Sequence, residues 1–259
     1  MKTLKCCLLA LFLSVLAGPA RAQEYKIPVQ NTKDNKLVLK NFSGHLPVEG
    51  YSGNEIVISS SSLDLEQPER AKGLKPVYPG GTDNTGIGLD VQQKEGQILV
   101  SCLLPFTRHG EYRIKVPDNL ALDIQSGCEN STEITITGMK NEIEIQNCHD
   151  ITLENVTGPL ILSTISGNID IVCNDIAANT PFSINSVSGD IDIAIPGNAA
   201  INLEMRTVTG GFYSDFDFPE TDQDMKRVGG NRFSYKLNGG GSKFSLVTVS
   251  SNIYLRKKK

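Results

Sequence analysis

The 259-residue sequence predicts an all-β, single-domain fold: a β-solenoid or β-helix-like stack of short strands with turns of about 21 residues. Three observations predict it. There are 24 glycines and no tryptophan, aromatics are 6%, and Ile, Val, Thr and Asn are plentiful, a mixture that favours strands and turns over helices. From Leu122 onward, apolar residues alternate with polar ones at period two. Over that alternation runs a recurring motif, apolar-Ser/Thr-Gly followed directly by an apolar strand.

Residues 1–22 read as a secretory signal peptide. Lys2 and Lys5 form a positive start, Cys6 to Leu16 is an apolar run too short to span a bilayer, and Ala20-Arg21-Ala22 is an A-x-A cleavage site before Gln23. Pro19 follows Leu16-Ala17-Gly18, where a lipid-anchored leader would need Cys. The expected mature domain is therefore 23–259. Losing three of the 25 basic residues leaves 22 against 29 acidic ones, a net charge of −7. No other apolar stretch is long enough for a transmembrane helix.

Phe42 to Val48 and Tyr51 to Ile58 look like first strands of the repeat. Residues 63–89 alternate poorly and contain Pro68, Pro76 and Pro79, so they read as an irregular insertion or loop. Strands resume at Ile98 to Cys102 and Tyr112 to Pro117. Nine short strands then follow, starting at Leu122, Ile134, Ile143, Ile151, Leu160, Ile169, Phe182, Ile191 and Ile201. Pro159, Pro181 and Pro196 fall between them, where a missing N–H does least harm.

The motif begins at Val156, Ile165, Val187 and Val208, with a variant at Val249. The steps from Ile165 to Val187 and on to Val208 are 22 and 21 residues; the step to Val249 is 41, close to two periods. A glycine at constant phase implies a corner that needs either positive φ or close backbone approach.

Asp123, Glu144, Asp170 and Asp192 are the middle residues of four strands. On the same face of successive turns they would form an acidic column, and Ca²⁺ is the cation whose oxygen-ligand chemistry would relieve it. Solvated carboxylates on an acidic face fit the same residues. From Glu133 to Phe212 there are ten acidic residues and two basic ones, Lys140 and Arg206. Asp83 to Gly88 reads as an ordinary Asx turn, with an ion-binding loop as the alternative, and the basic tail Arg256 to Lys259 as a frayed, solvated end, with contact to anionic lipid or polysaccharide as the alternative. Four cysteines remain after cleavage. Cys128, Cys148 and Cys173 each follow an apolar-x-Ile strand and would line one corner at rung spacing, which a disulfide tolerates, with Cys128 and Cys148 the candidates; buried free thiols fit the same positions. With His45, His109 and His149 scattered and no C-x-x-C, a zinc site is not expected. There is no G-x-S-x-G, H-E-x-x-H or P-loop, and a pI near 5.5 argues against a nucleic-acid partner.

Several stretches together resemble a known family: Asn41 to Gly53, Gly73 to Lys75, Asp83 to Leu89, Tyr112 to Pro117, Glu154 to Pro159, Phe212 to Asp217, Leu237 to Ser242 and Asn252 to Lys257. They are similar to exported β-strand-repeat proteins of Bacteroidetes-type bacteria, a family of unknown function usually given the label adhesin. The resemblance implies a β-solenoid-like fold, export to the envelope and no established enzymatic activity, and it brings no catalytic residues. Ser250-Ser251-Asn252 departs from the family, which has Gly in that corner.

The expected function is a non-enzymatic envelope protein, an adhesin or structural scaffold in the periplasm or on the outer surface of a Gram-negative bacterium. Its expected partners are a surface glycan or an envelope protein. The alternatives are a polysaccharide-active β-helix enzyme and an envelope-stress accessory protein.

Overall fold

The computed structural model describes residues 23–30, 35–61, 69–74, 77–105, 111–219, 224–226 and 230–259. The leader, His109 and parts of 63–89 lie outside the described residues. The strands in chain order are β1 (Gln23–Pro28), β2 (Lys36–Lys40), β3 (Gly44–Tyr51), β4 (Glu55–Ser60), β5 (Leu89–Lys94), β6 (Gln97–Cys102), β7 (Tyr112–Pro117), β8 (Ala121–Gln125), β9 (Thr132–Thr137), β10 (Ile143–Gln146) and β11 (Ile151–Glu154). They continue as β12 (Leu160–Thr164), β13 (Ile169–Val172), β14 (Phe182–Ser186), β15 (Ile191–Ile195), β16 (Ile201–Thr207), β17 (Phe212–Ser214), β18 (Asp224–Lys226), β19 (Asn231–Leu237), β20 (Ser242–Val247) and β21 (Ile253–Lys257).

These strands form two sheets, and the chain alternates between them. Sheet A runs β1-β4-β7-β3-β9-β11-β13-β15-β21-β17, and sheet B runs β18-β19-β16-β20-β14-β12-β10-β8-β2-β6-β5. Each rung is one strand from each sheet, such as β10 with β11 or β12 with β13, and neighbouring rungs pair in parallel. The fold is therefore all-β and solenoid-like. Its rungs are not uniform. Register partners Leu122, Ile143, Leu160 and Phe182 are 21, 17 and 22 residues apart.

Strand alternation builds the core. In sheet B, Leu37, Leu122, Ile143, Leu160, Phe182, Phe244 and Leu203 stand opposite one another in one buried column. In sheet A, Leu46, Ile134, Ile151, Ile169, Ile191 and Ile253 do the same. Phe182 and Phe244 stack with centroids 4.2 Å apart. Burying each such side chain stabilises by about 1.5–3 kcal/mol.

Both ends of the stack are interleaved out of chain order. Rung β2/β3 lies inside the later rung β6/β7. Rung β20/β21 lies between β14/β15 and β16/β17. The 41-residue step to Val249 is therefore not two further periods. The chain passes through the antiparallel strands β18 and β19 and returns to fill a slot left open one rung back. The basic tail is correspondingly not frayed. Strand β21 is interior to sheet A, and the Lys258 N–H still donates to Ile195 O at 2.8 Å.

Antiparallel strands cap most of the edges: β4 and β1 on sheet A, β5 on sheet B, and β19 with β18 at the far end of sheet B. Aromatic residues plug the core ends. Phe42 and Tyr112 meet edge-to-face at one end, while Phe218 packs edge-on against Phe233 and Tyr235 at the other.

Candidate functional site

The corner between sheet B and sheet A is a repeated hydrogen-bonded unit. In T164-I165-S166-G167-N168 and S186-V187-S188-G189-D190, the first hydroxyl accepts the N–H of the glycine three residues on (3.4 and 2.8 Å). Close approach sets the glycine: a Cβ on Gly189 would lie 1.7 Å from Gly167 O, and one on Gly210 1.8 Å from Ser251 O. None of Gly167, Gly189 and Gly210 has positive φ. Ser251 takes the glycine position in the last corner, which nevertheless closes, with Thr207 Oγ1 donating to Ser251 O at 3.0 Å.

The residue after the glycine, or after His149 and Ser251 at the equivalent position, extends the ladder. The Asp150, Asn168, Asp190 and Asn252 side chains each accept a backbone N–H from the next rung at 2.7–3.0 Å. Asp and Asn alternate along it, so no two carboxylates are consecutive. These corners leave Ile165, Val187, Val249 and Val208 about half exposed, one per rung.

The four expected acidic residues do not form one column, because their strands belong to different sheets. Asp123 and Glu144 are register partners in sheet B; Asp170 and Asp192 are partners in sheet A. Each pair has a basic neighbour from an interleaved rung. Lys36 Nζ lies 3.1 Å from Glu144 and 3.4 Å from Glu142. Burial alone would lower the Lys36 pKa, but its hydrogen bonds and attraction to Glu144 and Glu142 outweigh burial and raise it. Arg256 grips Asp192 through two nitrogens at 2.7–2.9 Å. Asp123 is buried, and its Oδ1 has no partner. Burial pushes its pKa up and nearby Glu144 adds to this. Burial also raises Asp170, with repulsion from Asp192, Asp150 and Asp190. Among the described residues, no group of three or more His, Cys, Asp or Glu is arranged to hold a metal ion.

Asp83 spends its carboxylate on its own loop. It accepts the N–H groups of Thr85, Gly86 and Gly88 and the Thr85 hydroxyl, all at 2.8–3.0 Å. Burial would raise its pKa; those bonds outweigh burial and hold it below the usual range. Cys128 and Cys148 form a disulfide with Cα atoms 5.0 Å apart, at the corners preceding Ile165 in the stack. Cys102 and Cys173 are buried free thiols, and burial pushes Cys173 up to about 12.

Two outward surfaces at the C-terminal end were not foreseen from sequence. On sheet A, Tyr213 and Tyr254 stack at 5.2 Å, and the Arg256 guanidinium lies 5.3 Å from the Tyr254 ring centre. On sheet B, a cleft of about 660 Å³ is lined by Asn202, Glu204, Ser234, Lys236 and Lys243, with Leu203 and Tyr235. Asn202 is the register partner of both Lys236 and Lys243, so two exposed lysines flank one amide. Arg232 pairs with Glu204 at 3.1 Å. The only sequence sign of this cleft is the excess of nine basic over five acidic residues from Tyr213 onward. The antiparallel return through β19 assembles it, and no local motif announces that return.

The family model Toastrack DUF4097 matches residues 118–255, just over half of the chain, running from the approach to β8 into β21. No curated protein matches. Among solved structures, a candidate cell adhesion protein from Clostridium sporogenes is 14% identical with a TM-score of 0.46, covering 92% of this chain and 100% of its own. A candidate adhesin from Bacteroides fragilis is 11% identical with a TM-score of 0.36, covering 92% and 97%. One from Parabacteroides distasonis is 11% identical with a TM-score of 0.32, covering 92% and 98%.

Proposed function

The chain belongs to the Toastrack DUF4097 family, and on that premise we propose that it is a non-enzymatic binding scaffold of the bacterial cell envelope, an adhesin in the broad sense. One observation carries this reading. Alternation commits one side of each strand to the buried columns, and the outward sides form two broad sheet faces whose polar side chains repeat at the rung spacing, about 4.8 Å. A rigid surface repeating at that interval suits a polymeric partner.

The carboxylates favour binding over turnover. Glycoside hydrolysis uses two carboxyl groups facing each other across a sugar, one of them activated as an acid. Here Glu144 and Asp192 are held in ion pairs with Lys36 and Arg256, and the two acidic pairs sit on different sheets. Export to the envelope is supported by the leader pattern of residues 1–22, which lie outside the described residues. Among the described residues, no helix is long and apolar enough to cross a membrane.

The test is a glycan screen of the mature chain scored for both retention and depolymerisation. Retention without product release is expected. Product release, or retention of no glycan at all, would contradict the reading. Protease shaving of intact cells distinguishes an outer-surface location from a periplasmic one.

A further inference from the structure

We infer that the sheet B cleft over β16, β19 and β20 is a subsite for an acidic polysaccharide, with Lys236 and Lys243 as its charge-recognising residues. The inference rests on the scaffold reading above and names a ligand class and a place for it.

Charge carries the argument. Lys243, Asn202 and Lys236 lie side by side on one face, in one register row. In the next row Glu204 is neutralised by Arg232. One row further, Arg206 stands directly opposite Arg232. Arg232 is held by Glu204, so of these two Arg206 is the cation without an ion-pair partner among the described residues. Neither lysine has an ion-pair partner among the described residues, a state shared with Lys26, Lys40, Arg113 and Lys258; what sets Lys236 and Lys243 apart is that they flank one amide in a single register row of a cleft. The chain as a whole is acidic, so this local excess of cations is set against its composition.

Spacing and chemistry narrow the ligand. Lys236 and Lys243 are two strands apart, roughly 9.6 Å across the sheet. That is about the length of a disaccharide unit, so the two lysines meet every second carboxylate of a polyuronate chain. Between them, Asn202 Nδ2 donates to Gly241 O at 2.7 Å, which orients the amide and leaves Oδ1 to accept from a sugar hydroxyl. Ser234 adds a hydroxyl to the lining. A nucleic acid would need free aromatic faces for its bases. The one aromatic residue in the lining, Tyr235, is packed edge-on against Phe218.

The test uses the mature full-length chain in affinity electrophoresis. The gels contain polygalacturonate, neutral dextran, anionic phosphatidylglycerol vesicles or single-stranded DNA. Polygalacturonate should retard the protein, increasingly so at low salt, and dextran should not. Lys236→Glu/Lys243→Glu should weaken that retardation at least about tenfold. Lys26→Glu/Arg113→Glu, an equal charge change at exposed positions at the opposite end of the stack, should leave it within about twofold. Matching melting curves establish that both variants fold.

Equal loss in both variants would overturn the site and show nonspecific charge binding. Stronger retardation by vesicles or DNA than by polygalacturonate would overturn the ligand class. Retention of a neutral glycan alone would sink this inference and leave the scaffold reading standing. Retention of no glycan would sink both.

Discussion

The four consecutive rungs from β8 to β15 and the two rungs from β16 to β21 obey the same local rules and differ in how the chain visits them. In the first region each turn stacks on the one just before it. In the second, the chain lays down the outermost rung, turns back through two antiparallel strands, and then inserts its last rung one place inward. Local pattern determines what a strand buries; sequence order alone does not determine its neighbours. Register partners in the first region are 17 to 22 residues apart, whereas Phe182 and Phe244 are 62 apart. Closing the longer loop costs only about 1 kcal/mol more in chain entropy. Two well-packed rung faces readily offset that.

The difference has a charge counterpart. The consecutive rungs are strongly acidic: from Glu133 to Phe212 there are ten acidic residues and two basic ones. The interleaved rungs supply cations to them, Arg256 from β21 to Asp192 and Lys36 from β2 to Glu144. At the C-terminal end Lys236 and Lys243 stand without ion-pair partners among the described residues, on either side of the sheet B cleft.

The largest effect should come from emptying the interior slot. Deleting residues 240–259 removes Phe244, Leu246, Ile253 and Leu255, all fully buried. Each is worth about 2–5 kcal/mol, against a total stability of about 5–15 kcal/mol for a typical domain. The truncated chain should lose its cooperative thermal transition. A deletion with no such effect would mean that the last rung is an edge.

Next, Leu246→Ala in the interleaved region and Ile184→Ala in the consecutive region should cost the same, about 3 kcal/mol each in urea unfolding. They face the same column and are equally buried. A markedly cheaper Leu246→Ala would split the two regions energetically.

Gly189→Ala should cost about 2 kcal/mol, because the new Cβ meets the Gly167 carbonyl and the rungs must separate. Gly197→Ala, where a Cβ meets nothing within 4 Å, is the matched control and should cost far less.

The smallest effect is electrostatic and confined to the consecutive rungs. Asp170 has a raised pKa, so its ionisation weakens the fold once pH exceeds the ordinary value of 3.8, fully so above the raised value. Asp170→Asn should therefore melt slightly higher than the parent at neutral pH. The gap should close as pH falls through the raised pKa, and vanish below 3.8. A gap that persists in acid would assign the gain to something other than charge.

Much of this architecture was legible in the sequence, for a physical reason: alternation and corners are local. Ile169-Asp170-Ile171 shows its strand and its buried face within three residues. The corner glycine showed its phase, though not whether φ or contact required it. The hydroxyl three residues earlier, Thr164 or Ser186, carries no sequence signal because its role is to hold an N–H that only the folded corner brings near. Sheet membership was not legible, because alternate strands look alike wherever they lie. That is why Asp123 and Asp192, similar in sequence, belong to opposite faces. Lys36, Arg256 and the lysines of the cleft reach their sites through long-range pairing, which a period cannot encode.

Native-state hydrogen exchange on the mature chain tests the interleaved order most directly. If β21 is interior, amides at Ile253 and Leu255 should be protected to the level of Ile191 and Ile193 in β15, while those of edge strand β17 exchange much faster. Fast exchange in β21 alongside strong protection in β17 would show that the final strand lies at the edge, and would contradict this fold.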